Sequence, residues 1–149
     1  MSAQTMRAAV VHEHGPIDRI VMEPRFPRPA PRPGWVVLRV RATSLNFHDI
    51  FSRRGMPGIK LPLPIIIGSD IAGEIAELGE GVDDWRIGER VLVDPMPIAE
   101  NGYKFIGEQF HGGRAEYCEV HPKMLLRLPQ EVSFEEAASI PLAYATAYR

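Results

Sequence analysis

The sequence predicts a mainly β fold with short helices (α+β), and three observations carry that expectation. Its 14 prolines and 13 glycines cut 149 residues into short pieces, the spacing of strands joined by turns. Apolar and polar residues alternate in "WVVLRVRA", as a strand with one buried face requires. Helical signals are confined to two short stretches.

In chain order, strands are expected at "MRAAVV" from Met6, "RIVMEP" from Arg19 and "WVVLRVRAT" from Trp35. In the third, Val36, Leu38 and Val40 face one side, while Val37, Arg39 and Arg41 face the other. "APRPG", Ala30 to Gly34, is a proline-stiffened turn. The first helix runs from about Asn46 to Arg54, and Gly55 suits the left-handed conformation past its end. Further strands are expected at "DIAGEIAEL" from Asp70, "ERVLVD" from Glu89, "GRAEYCEV" from Gly113 and "MLLRLP" from Met124. Gly73 lies inside its strand, where a missing side chain lets another backbone approach closely. The second helix opens on "SFEE", Ser133 to Glu136, a capping box, and Pro141 should break or kink it. The apolar helical run then reaches Arg149 with no capping signal, so the chain is expected to be part of something longer.

Bulk properties narrow the function classes. A net charge of -2 with scattered lysines and arginines offers no field for nucleic acid. No apolar run resembles a signal peptide, and "LPLPIIIG" is too short to cross a bilayer, so a soluble, cytoplasmic protein without a membrane partner is expected. The single cysteine, Cys118, permits no internal disulfide and no thiolate zinc cluster.

Four stretches, "TSLNFHD", "PIIIGSDIAGEIAELGEGVDDWRIGERVLV", "GGRAEYCEV" and "LPQEVSFEEAASIPLAYATAY", resemble successive blocks of the amino-terminal domain of medium-chain dehydrogenase/reductases. The resemblance covers nearly everything from Met6 onward and implies a GroES-like β-barrel. It implies a GroES-like, substrate-side domain over residues 1–130, and over 131–149 the start of a helical connection to a Rossmann cofactor domain absent from the chain. No cofactor fingerprint stands in the chain itself: Gly79 and Gly81 come nearest, but the third glycine position falls on Asp84 and no helix follows.

Zinc members of that family hold a catalytic ion with a cysteine, a histidine in "GHE", and a cysteine or acid four residues before a threonine. The matching positions here are Asn46, Ser69 and Leu142, an amide, a hydroxyl and an alkyl group that cannot supply the donors zinc prefers. The structural zinc lobe, four cysteines in the family, is replaced by the cysteine-free "DPMPIAENGYKFIGEQFHGG". No metal is therefore expected. Without a metal to polarise a lone carbonyl, a quinone or conjugated carbonyl is the easier acceptor, because developing negative charge is delocalised. The resemblance thus implies the zinc-independent, quinone-oxidoreductase-like branch and a hydride taken from NADP or NAD in reduced form.

By the same resemblance, Asn46, His48 and Asp49 are the candidate catalytic residues, with Asn46 and Thr146 beside the nicotinamide. Asn46 serves as donor and acceptor there, or as a helix cap. His48 delivers a proton or attracts an anionic group, and Asp49 reads as an orienting carboxylate. Phe47, Phe51, Ser69, Asp70 and His111 are the candidate substrate pocket, with Asp70 alternatively fixing a turn and His111 alternatively in a surface loop. Thr146 is alternatively a helix-interior threonine bonding back to a carbonyl. Two other functions stay open: an enoyl thioester reductase of the same family, and a non-enzymatic GroES-like binding module. The expected partner is a small-molecule substrate, and the full-length protein is expected to be a homo-oligomer.

Overall fold

The computed structural model describes residues 4–58, 60–96, 98–99 and 102–148. Ten strands form: β1 (Thr5–Val11), β2 (Ile20–Pro27), β3 (Val36–Thr43), β4 (Ile65–Ile66), β5 (Ile71–Leu78), β6 (Arg90–Val93), β7 (Ile98–Ala99), β8 (Gly102–Tyr103), β9 (Tyr117–Val120) and β10 (Leu125–Arg127). Three helices accompany them: α1 (Phe47–Arg54), α2 (Phe134–Ala138) and α3 (Pro141–Tyr148). No helix among the described residues is long and apolar enough to cross a membrane.

The strands make a three-stranded sheet in the order β2-β1-β4, a five-stranded sheet in the order β10-β6-β5-β3-β9, and the hairpin β7-β8. Residues 114–116 join the two larger sheets. Ala9 N–H donates to the Arg114 carbonyl at 2.8 Å, Glu116 N–H to the Arg7 carbonyl at 3.1 Å, and Val40 N–H to the Glu116 carbonyl at 3.0 Å. This shared segment explains why β9 begins at Tyr117 and not at Gly113. Residues 114 and 116 bond to β1, so the regular ladder with β3 covers only Tyr117 to Val120. The sheets are open, and their seam at 114–116 gives the barrel-like arrangement.

The main core lies on the five-stranded sheet, where Leu38, Ile71, Ile75, Val91, Ile106 and Met124 are buried together. Val36 and Leu38 belong to it and Val40 packs against it, while Arg39 and Arg41 are exposed, as the alternation in β3 requires. Val37 departs from that alternation: it is buried too, beside a register shift between Val37 and Leu38 against β5. Gly73 is the close approach its place in β5 suggests, since a Cβ there would lie 2.3 Å from the Arg39 carbonyl oxygen. The helix boundaries also follow the local chemistry. α1 ends at Gly55 with φ 81°, α2 starts at the Ser133–Glu136 capping box, and Pro141 opens α3 after α2 has ended at Ala138.

Candidate active site

The site is built where the end of β3, the start of α1, the start of β5 and α3 meet. Asn46 is extended, with φ -123° and ψ 155°, and its carbonyl accepts from the Asp49 N–H at 3.0 Å. Asp49 returns its carboxylate to the Asn46 N–H at 2.9 Å, satisfying a donor that helix geometry leaves free. The Asn46 side chain reaches β5 instead: its Nδ2 donates to Asp70 Oδ2 at 2.9 Å.

Asp70 is fully buried and gathers three donors. Ser44 Oγ donates to Oδ2 at 2.7 Å, Asn46 Nδ2 to the same oxygen, and the Leu142 backbone N–H to Oδ1 at 2.9 Å. One carboxylate therefore ties β3, α1 and α3 to the entrance of β5, and its buried oxygens are satisfied. Next to it, Ser69 Oγ is buried with no hydrogen-bond partner among the described residues. Asn46, Ser69 and Leu142 are thus drawn to one place, with Asp70 as their common neighbour.

Asp49 belongs to a second pair. Arg114 Nη2 donates to its Oδ2 at 2.7 Å, and both side chains are largely buried. Burial pushes the Asp49 carboxyl above its ordinary pKa; the Asn46 N–H, Arg114 and His48 pull it back, while Asp70 adds to the rise. His48 turns to the other side of α1, where Nε2 meets Glu108 Oε2 at 2.9 Å and the ring stacks on Phe105 at 4.6 Å between centroids.

Two hollows flank this arrangement. One, of about 390 Å³, is lined by Ile17, Leu45, Asn46, Phe47, Asp49 and Arg114. The other, of about 410 Å³, runs along α3 and includes Met96, Ile140, Leu142, Tyr144 and Thr146. Phe47 is 77% exposed and pairs with Phe51, ring centroids 6.4 Å apart, on the outer face of α1. Thr146 is exposed on α3, four residues past Leu142.

His111 stands apart from these residues. It edges a separate hollow of about 480 Å³ with Met6, Phe26, Phe110 and Tyr117, because its Nδ1 accepts from the Ile66 N–H at 3.2 Å and its ring meets Phe26 edge-on at 5.4 Å. Burial lowers its pKa. Cys118 lies within the core, its thiol pushed up to about 12 by burial and the neighbouring Glu119 charge, which removes it as a nucleophile. Ser44, Arg114, Glu108 and Phe105 are the site residues that sequence reasoning missed. Ser44 stood inside the "TSLNFHD" block, but nothing local in "GGRAEY" or "KFIGEQF" signals a partner on α1.

The family pattern described as "Alcohol dehydrogenase GroES-like domain" matches residues 32–130. The chain belongs to that family. This GroES-like domain is 36% identical over 148 residues to the synaptic vesicle membrane protein VAT-1 homolog of Rattus norvegicus, covering 98% of this chain and 33% of the relative. It is 34% identical over 143 residues to the chloroplastic NADPH-dependent alkenal/one oxidoreductase of Arabidopsis thaliana, covering 95% of this chain and 36% of that protein. In structure it matches the cobalt- and zinc-bound thermostable alcohol dehydrogenase of Pyrobaculum aerophilum with a TM-score of 0.87 and 28% identity, covering 97% of this chain and 47% of that one. The GroES-like domain spans about a third of the length of the curated relatives it matches. It is similar in sequence to the amino-terminal part of medium-chain dehydrogenase/reductases, as the four blocks imply.

A metal-bound neighbour of the same fold makes the donor set decisive. At the positions that the resemblance matches to the family's zinc ligands, the chain has an amide, a hydroxyl and an alkyl side chain, and two of these residues, Asn46 through its side chain and Leu142 through its backbone N–H, already donate to the Asp70 carboxylate. Among the described residues no group of three or more histidine, cysteine, aspartate or glutamate side chains could hold a metal ion. These residues do not fit zinc, which prefers thiolate and imidazole donors in a tetrahedral set.

Proposed function

We propose that this GroES-like domain is the substrate-side part of a zinc-independent, NAD(P)H-dependent oxidoreductase that reduces a conjugated carbonyl or a quinone. The observation that carries the reading is the Asp70 hub, with Ser44, Asn46 and Leu142 joined to one buried carboxylate where a metal would otherwise sit. The relative described as an NADPH-dependent alkenal/one oxidoreductase supports the acceptor class.

Asn46 and Thr146 are the residues of this chain that would hold a reduced nicotinamide, which when bound would supply the hydride. The chain's own residues bind and orient. Asp70 fixes the Asn46 amide through one N–H, leaving the second N–H of Nδ2 to donate to a carbonyl oxygen at the mouth of the hollow. Hydride addition at the far end of a conjugated acceptor would form a C–H bond there and shift the acceptor's π electrons toward that oxygen, where such a donor stabilises the growing charge. A proton from solvent then completes the reduction. Phe47 and Leu45 give the hollow an apolar wall suited to an alkenal or a quinone ring. The helical segment over α2 and α3 leads toward a cofactor-binding domain in this reading.

The test uses the full-length protein with NADPH or NADH and a panel of alkenals, enones, quinones and enoyl thioesters, following cofactor oxidation. Turnover with enones or quinones that resists chelators is expected, and Asn46→Ala should lower kcat/KM by roughly 10- to 100-fold. Preference for enoyl thioesters would move the reading to the thioester reductase. No turnover with any acceptor by folded protein would leave a binding module.

A further inference from the structure

The hollow of about 390 Å³ beside Asn46 carries an unbalanced charge. Asn46, Asp49, Ile50 and Arg53 all line it, at the three- and four-residue spacing that puts side chains on one face of a helix. From Asn46 to Arg53 that stripe runs about 10 Å along α1. Arg114 joins them from outside the helix. Asp49 is the one acid among the described residues that line the hollow, and Arg114 Nη2 already donates to it at 2.7 Å. Two guanidiniums thus share one carboxylate, and one positive charge is left over. Ile17, Ile20, Leu45 and Phe47 make the surrounding wall apolar.

The charge left over belongs to Arg53, which is only 5% exposed. Among the described residues it forms no ion pair. Backbone holds it instead: Nη1 donates to the Gly15 carbonyl, and the Arg53 carbonyl accepts from the Gly15 N–H at 3.0 Å. A guanidinium has five N–H donors, and this contact occupies one edge of the fork. The other two nitrogens find no acceptor among the described residues, yet neither is sealed from solvent, so they stay available at the hollow that Arg53 lines. The negative end of α1 lies beside Arg53, but a helix terminus offsets little of what burying an ion costs. A guanidinium fixed in place with free donors, set in an apolar wall, is a preorganised receptor for an anion.

We propose that Arg53 is an anion-binding residue of this hollow and that the acceptor carries a carboxylate: its conjugated carbonyl meets the Asn46 amide, while its carboxylate pairs with Arg53 farther along the same helix face. A monoanion matches the single uncompensated charge, whereas the second charge of a phosphate would be left against the Asp49 carboxylate. The guanidinium fork suits the two oxygens of a carboxylate, and Ile17, Ile20 and Phe47 cover the aliphatic chain between the two ends. The inference deepens the reductase reading and rests on it for the choice of acceptors, while the anion site itself can be observed without turnover.

The test uses the full-length protein, NADPH or NADH, and a matched pair of acceptors: an aliphatic enone whose chain ends in a carboxylate, and its methyl ester. In the wild type, KM for the acid should lie about 10- to 100-fold below that for the ester, with kcat alike within about twofold. Arg53→Met should abolish that preference while kcat/KM for the ester changes by less than about threefold, and Arg53→Lys, which keeps the charge without the fork, should retain part of it. Equal KM for acid and ester in the wild type, or a preference that survives Arg53→Met, would overturn the inference. Calorimetric binding of octanoate and octanamide gives the second readout: octanoate should bind the wild type at least about tenfold more tightly, and Arg53→Met should bring the two together. That pattern in a protein that reduces no acceptor would uphold the anion site and refute only the reductase reading. Reduction of enones with no preference for octanoate would overturn the anion site and leave the reductase reading standing. Should Arg53→Met fail to fold for want of its contact with Gly15, Arg53→Lys and the wild-type comparison of acid with ester decide the same question.

Discussion

Asp49 stands between opposing influences, and their balance has a pH signature. Burial raises its carboxyl pKa, and the Asn46 N–H and the Arg114 guanidinium offset only part of the rise. A carboxyl whose folded pKa lies above its unfolded one binds more protons folded than unfolded. The stability it contributes is present below the ordinary carboxylate value and is lost as pH rises through the folded pKa. Asp49→Asn should therefore remove a fall in stability that the wild-type chain shows as pH rises above the ordinary carboxylate value, read by urea unfolding at a series of pH values. Arg114→Met strands the buried carboxylate and should cost about 3–5 kcal/mol, more at pH 7 than at pH 4. A penalty that is the same at both pH values would mean that the Arg114 charge is not what compensates Asp49. Asn46 was legible in advance because asparagine at a helix start has its own local logic and because the "TSLNFHD" block resembles the family's ligand position. Arg114 and Glu108 were not, since they meet α1 from 65 and 60 residues away in sequence.

Strands and helices with complete local signals were legible to within a residue or two. β3 and β5 show alternation or an internal glycine, and α1 and α2 carry caps at their starts. β4 was invisible because it is only two residues long and owes its existence to pairing with Val10 and Val11. β9 was read too long because nothing in "GRAEYCEV" marks where one strand exchanges β1 for β3 as its partner. Gly73 makes the pairing of β3 and β5 testable. Its Cβ position is blocked by backbone, which cannot rotate aside as a side chain would, so Gly73→Ala must push the two central strands apart. A loss of about 3 kcal/mol in urea unfolding is expected, at the upper end of overpacking penalties. Gly81→Ala is a useful contrast, because open space surrounds its Cβ position and only its φ of 80° opposes the change. If Gly73→Ala proves no worse than Gly81→Ala, the close approach does not govern the sheet.

The order β10-β6-β5-β3-β9 and the seam at residues 114–116 come from long-range pairing that no local pattern encodes, so the chain-wide arrangement became available only through resemblance and structure. That arrangement has a consequence for metal chemistry. Asn46 enters from α1, Leu142 from α3, and both bond to Asp70, whose neighbour is Ser69. Three segments far apart in sequence therefore converge on one carboxylate, and in the zinc-independent reading proposed above it is the donor set, not the geometry of the fold, that keeps zinc from that place. Two measurements on the full-length protein separate these possibilities. Elemental analysis of the wild type should find zinc well below one equivalent. The triple variant Asn46→Cys, Ser69→His and Leu142→Cys should hold about one equivalent in a tetrahedral thiolate and imidazole environment, visible in the visible spectrum after cobalt substitution. Stoichiometric zinc in the wild type would refute the donor-set argument. A folded triple variant that takes up no metal would show instead that the three positions are not gathered closely enough for a common ligand, and with that the hub around Asp70 would lose its claim to be the reacting centre.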